Sequence, residues 1–130
     1  DQLELAFSNT APASETSNPT ADGNGVLDNV TQIAYTNWTD DLTVDRNLTS
    51  GSVTHTQTSG TFTLDYTSDI VITASGGAIA TWQTIYLWDD NPTSPADPLF
   101  CVWDHGSGIA LGDGDSATLQ FNASGIFTLA

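Results

Sequence analysis

Aspartate, histidine and serine fall together once in this chain, at Asp104, His105 and Ser107 in the stretch W-D-H-G-S-G. Those are the parts of an activated nucleophile, in which a carboxylate orients an imidazole that takes a hydroxyl proton. Residues this close on an extended chain point in different directions, and no other candidate completes the set, so the sequence predicts no catalytic residue here. His105 reads as a turn residue near Trp103, and the other imidazole, His55, sits in a Thr-rich run. Paired carboxylates come next, at Asp89/Asp90 and Asp113/Asp115. Glycoside hydrolysis needs an acid held in an apolar pocket opposite a second carboxylate, whereas aspartates beside Gly and Pro fit turns better. Asp22-Gly-Asn24-Gly and Asp113-Gly-Asp115 carry hard oxygen ligands suited to calcium, but neither has the spacing of a full calcium loop. Metal and cofactor sites are therefore expected to be absent. The lone Cys101 forms no internal disulfide and sits between apolar neighbours, the setting of a buried, inert thiol. The expectation is a protein that is not an enzyme.

Charge narrows the partners. Arg46 is the single basic side chain against sixteen acids, a net charge of -15 over 130 residues. Such a surface repels phosphate and anionic lipid, so neither nucleic acid nor a membrane surface is an expected partner. No apolar run approaches the length of a membrane span, and no secretory leader is visible. Acceptor patterns for glycosylation at Asn29, Asn37, Asn47 and Asn122 are read as unused chance matches in a Thr/Ser-rich chain.

The elements that would position these residues are strands. Met and Lys are absent, Thr, Ser and Gly are frequent, and no window holds a helical apolar stripe with caps. Ile79 to Leu111 forms the expected centre: I-A-T-W-Q-T-I-Y-L-W and L-F-C-V-W flank a loop with Pro92, Pro95 and Pro98. Alternation places Trp82, Thr84, Tyr86 and Trp88 on one face and Ile85 and Leu87 on the other. It likewise sets Leu99, Cys101 and Trp103 opposite Phe100 and Val102. Apolar groups on both faces predict mid-sheet strands covered on both sides. At least two of Trp82, Trp88 and Trp103 are expected to be largely buried.

Around that centre, Ser59-Gly60 predicts a hairpin between Ser52–Thr58 and Thr61–Tyr66, with Phe62, Leu64 and Tyr66 on one face. Val26 to Ala34 allows a short helical turn anchored by Val30 and Ile33. Phe121 and Phe127 are expected to meet across the last hairpin. The sum is an all-β fold, an antiparallel β-sandwich (jelly-roll or Ig-like) of about ten short strands with an extended N-terminal segment. Two regions are expected, a strand with a polar arm or loop over 1–24 and one sandwich domain over 25–130. Leu3, Leu5 and Phe7 are patterned to be half-buried ahead of a polar, proline-containing stretch. They could join another subunit by strand addition or fold back into their own sheet, and both readings stay open. Under the first, these three residues and Arg46 are the candidate partner-binding residues.

Several segments resemble small virion proteins of tailed bacteriophages: A-P-A at Ala11–Ala13, V-T-Q-I-A at Val30–Ala34, L-W-D-D-N-P-T-S-P-A-D-P-L, and W-D-H-G-S at Trp103–Ser107. The ending G-D-G-D-S-A-T-L-Q-F-N-A-S-G-I-F-T-L-A is similar too. His105 stands where tyrosine is expected in such proteins. The resemblance implies a capsid cement or decoration protein on the outer surface of the virion, bound to the major capsid protein, as a dimer or trimer; a tail or fibre component is the other implied place. The alternative from the residues is a carbohydrate-binding module with exposed Trp38, Trp82 or Trp88 as stacking platforms, with calcium support.

Overall fold

The computed structural model describes residues 2–15, 25–48 and 52–129. Strand β1 (Leu3–Ser8) opens it, followed by β2 (Trp38–Asp40), β3 (Val53–Thr58), β4 (Thr61–Tyr66) and β5 (Ile70–Ala74). The long pair β6 (Trp82–Asp89) and β7 (Leu99–Ile109) comes next, then β8 (Ser116–Leu119) and β9 (Phe127–Leu129). All pairing is antiparallel, in three three-stranded sheets ordered β1-β6-β7, β2-β5-β8 and β3-β4-β9. The fold is all-β and sandwich-like, with nine strands among the described residues, whose helical content is two short turns at Pro12–Ser14 and Leu27–Asn29. No helix among the described residues is long and apolar enough to cross a membrane.

The first two sheets share one core. Leu5 and Phe7 of β1 and Trp82 and Leu87 of β6 pack with Trp38 of β2 and Ile70, Ile72 and Ala74 of β5. In β5 the inward residues are the alternate ones, Ile70, Ile72 and Ala74, as a period of two requires. Phe7, Trp38 and Trp82 form the centre, with ring centroids 4.6 Å apart for Phe7–Trp38 and 5.7 Å for each of the other two pairs. On the far side of the first sheet Ala6, Val30 and Tyr86 make a second, smaller cluster, with Leu27, Trp88, Leu99 and Val102 against it. Strand β6 is thus mid-sheet with both faces covered, while β7 lies at the sheet edge.

The N-terminal strand folds into its own domain. Leu3 to Ser8 pair in continuous register with Asp89 to Thr84. The strand's other edge is occupied too: Leu48 N–H donates to Leu3 O (2.7 Å), Leu5 N–H to Arg46 O (2.8 Å), and Ile33 N–H to Phe7 O (2.9 Å). The polar stretch behind it is anchored by Glu15, whose carboxylate accepts from the Ser8 hydroxyl (2.9 Å) and Thr31 N–H (3.0 Å). Residues 16–24, which carry the rest of the expected arm and Asp22-Gly-Asn24, lie outside the described residues.

Three expectations of side-chain placement need correcting. Trp82 does not share a cluster with Tyr86 and Trp88; it joins Leu87 in the main core, because the ladder is irregular between Trp82 and Thr84. Leu99 likewise joins Val102 rather than Cys101 and Trp103, at a second irregularity between Leu87 and Trp88. Phe121 and Phe127 go to different neighbours. Strand β8 ends at Leu119, so Phe121 meets Tyr66 (5.4 Å) and Trp103 (5.9 Å), whereas Phe127 meets Phe62 (6.1 Å).

Local turn chemistry agrees with the residues present. Ser59 (φ 52°) and Gly60 (φ 87°) both take positive φ between Thr58 and Thr61, the two-residue hairpin geometry the twist of the strands favours. At Gly125 (φ 97°) a Cβ would lie 2.7 Å from Leu64 O, so only glycine lets the chain turn against β4.

Tyr86 supplies a test of the second cluster. The residue is fully buried and its hydroxyl has no hydrogen-bond partner among the described residues. Burial foremost, then the charges of Glu15 and Asp104, push its pKa up to about 12. A raised pKa means that the folded state keeps the phenol proton where the unfolded chain releases it. Stability from this source is full below pH 10 and is lost as pH rises toward 12. Tyr86→Phe removes an unsatisfied group without a cavity, so stability at neutral pH stays equal or rises. Its loss of stability at alkaline pH becomes shallower. Urea unfolding at several pH values measures both, and a loss above about 1 kcal/mol at neutral pH would reveal a partner for the hydroxyl.

Candidate functional site

The structure brings His105 and Ser107 closer than an extended chain allows. Five residue-to-residue steps of β7, from Asp104 to Ile109, span the two steps from Thr84 to Trp82 on β6, and the surplus chain folds into an exposed bulge. There Ser107 Oγ lies 3.1 Å from His105 Nδ1, and Ser107 O lies 3.0 Å from the same nitrogen. One nitrogen cannot donate to the carbonyl and accept from the hydroxyl at once. Asp104 does not orient the ring: its Oδ1 accepts from Gly106 N–H (2.8 Å), the closing bond of a local turn. The three residues are thus adjacent, and their hydrogen bonds serve the bulge.

The other polar candidates also serve the backbone. Asp113 Oδ1 accepts from Gly76 N–H (2.9 Å) and Gly77 N–H (3.1 Å), and Asp115 Oδ2 from Gly112 N–H (2.9 Å). Asp89 is buried and its Oδ1 accepts from Gln2 and Asn91 N–H, both at 3.2 Å. Among the described residues no three His, Cys, Asp or Glu side chains are grouped to hold a metal ion. Cys101 is half-buried, and burial pushes its thiol pKa up, away from a reactive thiolate.

The proposed partner-binding residues occupy unexpected places. Leu5 and Phe7 are buried in the core of their own domain, because the strand that carries them is paired along both edges. That removes them from any surface of the folded chain. Leu3 is half-buried at the edge of a groove, and the Arg46 guanidinium stacks 3.9 Å over the Tyr35 ring, with Arg46 N–H donating to Asp40 Oδ2 (3.0 Å). Arg46 therefore fastens the loop that covers β1. The tryptophan platforms need correcting as well. Trp38 and Trp82 are buried, Trp38 with its Nε1–H bonded to Asp40 Oδ2 (2.8 Å), because inter-sheet packing consumes both rings. Trp88 and Trp103 are half-buried.

Two surfaces emerge that residue-by-residue reading did not single out. The first is the β3-β4-β9 sheet. Its register puts Thr54, Thr56, Thr58, Thr61, Thr63, Asp65 and Thr128 on one face. The opposite face carries Phe62, Leu64, Tyr66, Phe127 and Leu129 beside Val53, His55 and Gln57. Only Tyr66 of these is buried; Leu129 is 68% exposed. A groove of about 390 Å³ runs between this face and the edge of the first sheet, where Phe100 is 49% exposed. The second surface is a cleft of about 640 Å³ between β6-β7 and the segment following β8, walled by Trp103, Ile109, Leu119 and Phe121. Alternating Thr and apolar residues signal the first in the sequence, whereas the second joins residues from separate stretches of the chain and has no local signature.

Comparison with protein-family models, with curated proteins and with solved structures found no match.

Proposed function

We propose that this chain is a non-enzymatic structural protein of a virion, of the capsid cement or decoration type. In this reading it sits on the outside of the shell, binds the major capsid protein, and assembles as a dimer or trimer. The observation that carries it is the half-covered apolar face of the β3-β4-β9 sheet, continuous with the groove at Phe100. That face carries no Asp, Glu, Lys or Arg, on a protein of net charge -15. Acidic surroundings hold like-charged molecules off and leave an apolar face free of carboxylates for docking, where hydrophobic burial supplies the binding energy. The resemblance to small phage virion proteins supplies the setting, and the acidity suits an outer position away from packaged DNA. The hydrogen bonds of Asp104, His105 and Ser107 within their bulge support the non-enzymatic part.

The test is cosedimentation with empty capsids. Leu129→Asp and Phe100→Asp place a carboxylate where a docked partner would cover it, yet both side chains are exposed in the free chain. Retention on capsids should fall at least about tenfold for each, an effect of about 1.4 kcal/mol, with melting unchanged. Retention equal to wild type in both variants would sink the proposal.

A further inference from the structure

The cleft between β6-β7 and the segment after β8 is distinct from the docking face, and its polar groups share a pattern. Gln83 Nε2 donates to Asn9 O (3.2 Å), and Gln120 Nε2 donates to Asp69 Oδ2 (2.9 Å). Asn122 Oδ1 accepts from Ser124 N–H (2.8 Å), and Asp104 Oδ1 from Gly106 N–H. Each partner has only one possible role, so the orientation of all three amides is fixed by chemistry. The remaining atoms, Gln83 Oε1, Gln120 Oε1, Asp104 Oδ2 and Asn122 Nδ2, make no hydrogen bond within the described residues. Each is held in place by the bond its sibling atom makes. That arrangement is preorganised for a ligand.

Below this rim lies the Trp82 indole, which lines the cleft, is fully buried, and has an Nε1–H without a partner among the described residues. The walls are apolar and aromatic: Trp103 and Phe121 meet edge-on at 5.9 Å, leaving half-buried ring surface beside Ile109 and Leu119. The volume falls within the roughly 300–1,000 Å³ usual for small-molecule sites.

From these features we infer that the cleft binds an uncharged saccharide. The four residues that carry these acceptors and this donor line one cleft, and a hydroxyl is the group that can satisfy either kind. A pyranose ring supplies several hydroxyls around its edge and a patch of C–H groups for an aromatic wall. Sialylated and other anionic sugars are disfavoured by Asp104 and by the net charge of -15. The site uses Trp103 as its wall, and no calcium enters it.

The experiment is an NMR titration of the ¹⁵N-labelled full chain with maltose, cellobiose, lactose and chitobiose, with 3′-sialyllactose as the anionic control. At least one neutral disaccharide should shift the indole N–H resonances of Trp82 and Trp103 saturably, in the presence of EDTA, and more tightly than sialyllactose does. Gln120→Ala and Asn122→Ala alter exposed rim residues and should each weaken that binding about tenfold, with unchanged spectra of the free protein. Leu129→Asp should leave sugar binding intact, which separates this site from the docking face. No shift with any neutral disaccharide at tens of millimolar overturns the inference. So does binding that both rim variants leave unchanged, or a cleft that responds only to added protein or peptide.

Discussion

A chain lacking residues 1–8 does not fold. Removing β1 strips β6 of its partner from Thr84 to Asp89 and orphans the bonds that Ile33, Arg46 and Leu48 make to the strand's other edge. It also deletes Leu5 and Phe7 from the main core and Ala6 from the second cluster. Large-to-small changes at buried Leu and Phe cost about 2–5 kcal/mol each, before the lost ladder is counted. A domain of this size has about 5–15 kcal/mol of stability in all. The expected result is a product without a cooperative thermal transition, recovered from inclusion bodies or as aggregate. A truncated chain that stays monomeric and melts cooperatively near the wild-type temperature would return the strand to the role of an intermolecular arm.

Trp82→Ala carries the second-largest effect. The indole is fully buried and packs against Phe7 and Trp38, with both centroids at 5.7 Å. Truncation leaves a cavity between the first two sheets that neither can close, since both are fixed by their ladders. A loss of about 3–5 kcal/mol follows. Trp88→Ala and Trp103→Ala remove half-buried rings and should cost visibly less, so the order among the three variants is itself diagnostic. Urea unfolding followed by far-ultraviolet circular dichroism gives the comparison without relying on indole fluorescence. Equal midpoints for all three would contradict the assignment of Trp82 to the core centre.

How far the sequence alone reaches can be seen at particular residues. Ser59-Gly60 specifies its hairpin because two positive-φ residues in a two-residue loop leave little choice of register. Ile70, Ile72 and Ala74 alternate inward as written, and the proline-marked loop separates β6 from β7 where expected. Trp82 and Leu99 escape the same rule. A period of two holds only while the ladder is regular, and each sits beside an irregularity that turns it to the other face. Nothing in a strand's own composition announces where its partner will bulge. Arg46 was legible as the one cation but not as a stacking partner of Tyr35, because the pairing depends on a loop folding over β1. The cleft is the extreme case. Gln83, Asp104 and Gln120 come from separate elements, and each is an ordinary polar residue until the sheets meet.

The bulge in β7 sets the terms on which this protein can change over generations. Between Asp104 and Ile109 the chain already carries three more residues than its partner strand requires, and the ladder resumes at Trp82 regardless. A segment whose length the sheet does not count can lose or gain residues while the hydrogen bonds on either side stay in register. Asp104 and His105 ride on that segment and form part of the cleft rim. Variation in length there would reshape the mouth of the cleft while leaving Trp82, Trp38 and Phe7 where they are. The strand thus keeps a rigid frame and an adjustable edge in one continuous piece of chain, and related proteins are expected to differ in length here before they differ in the core.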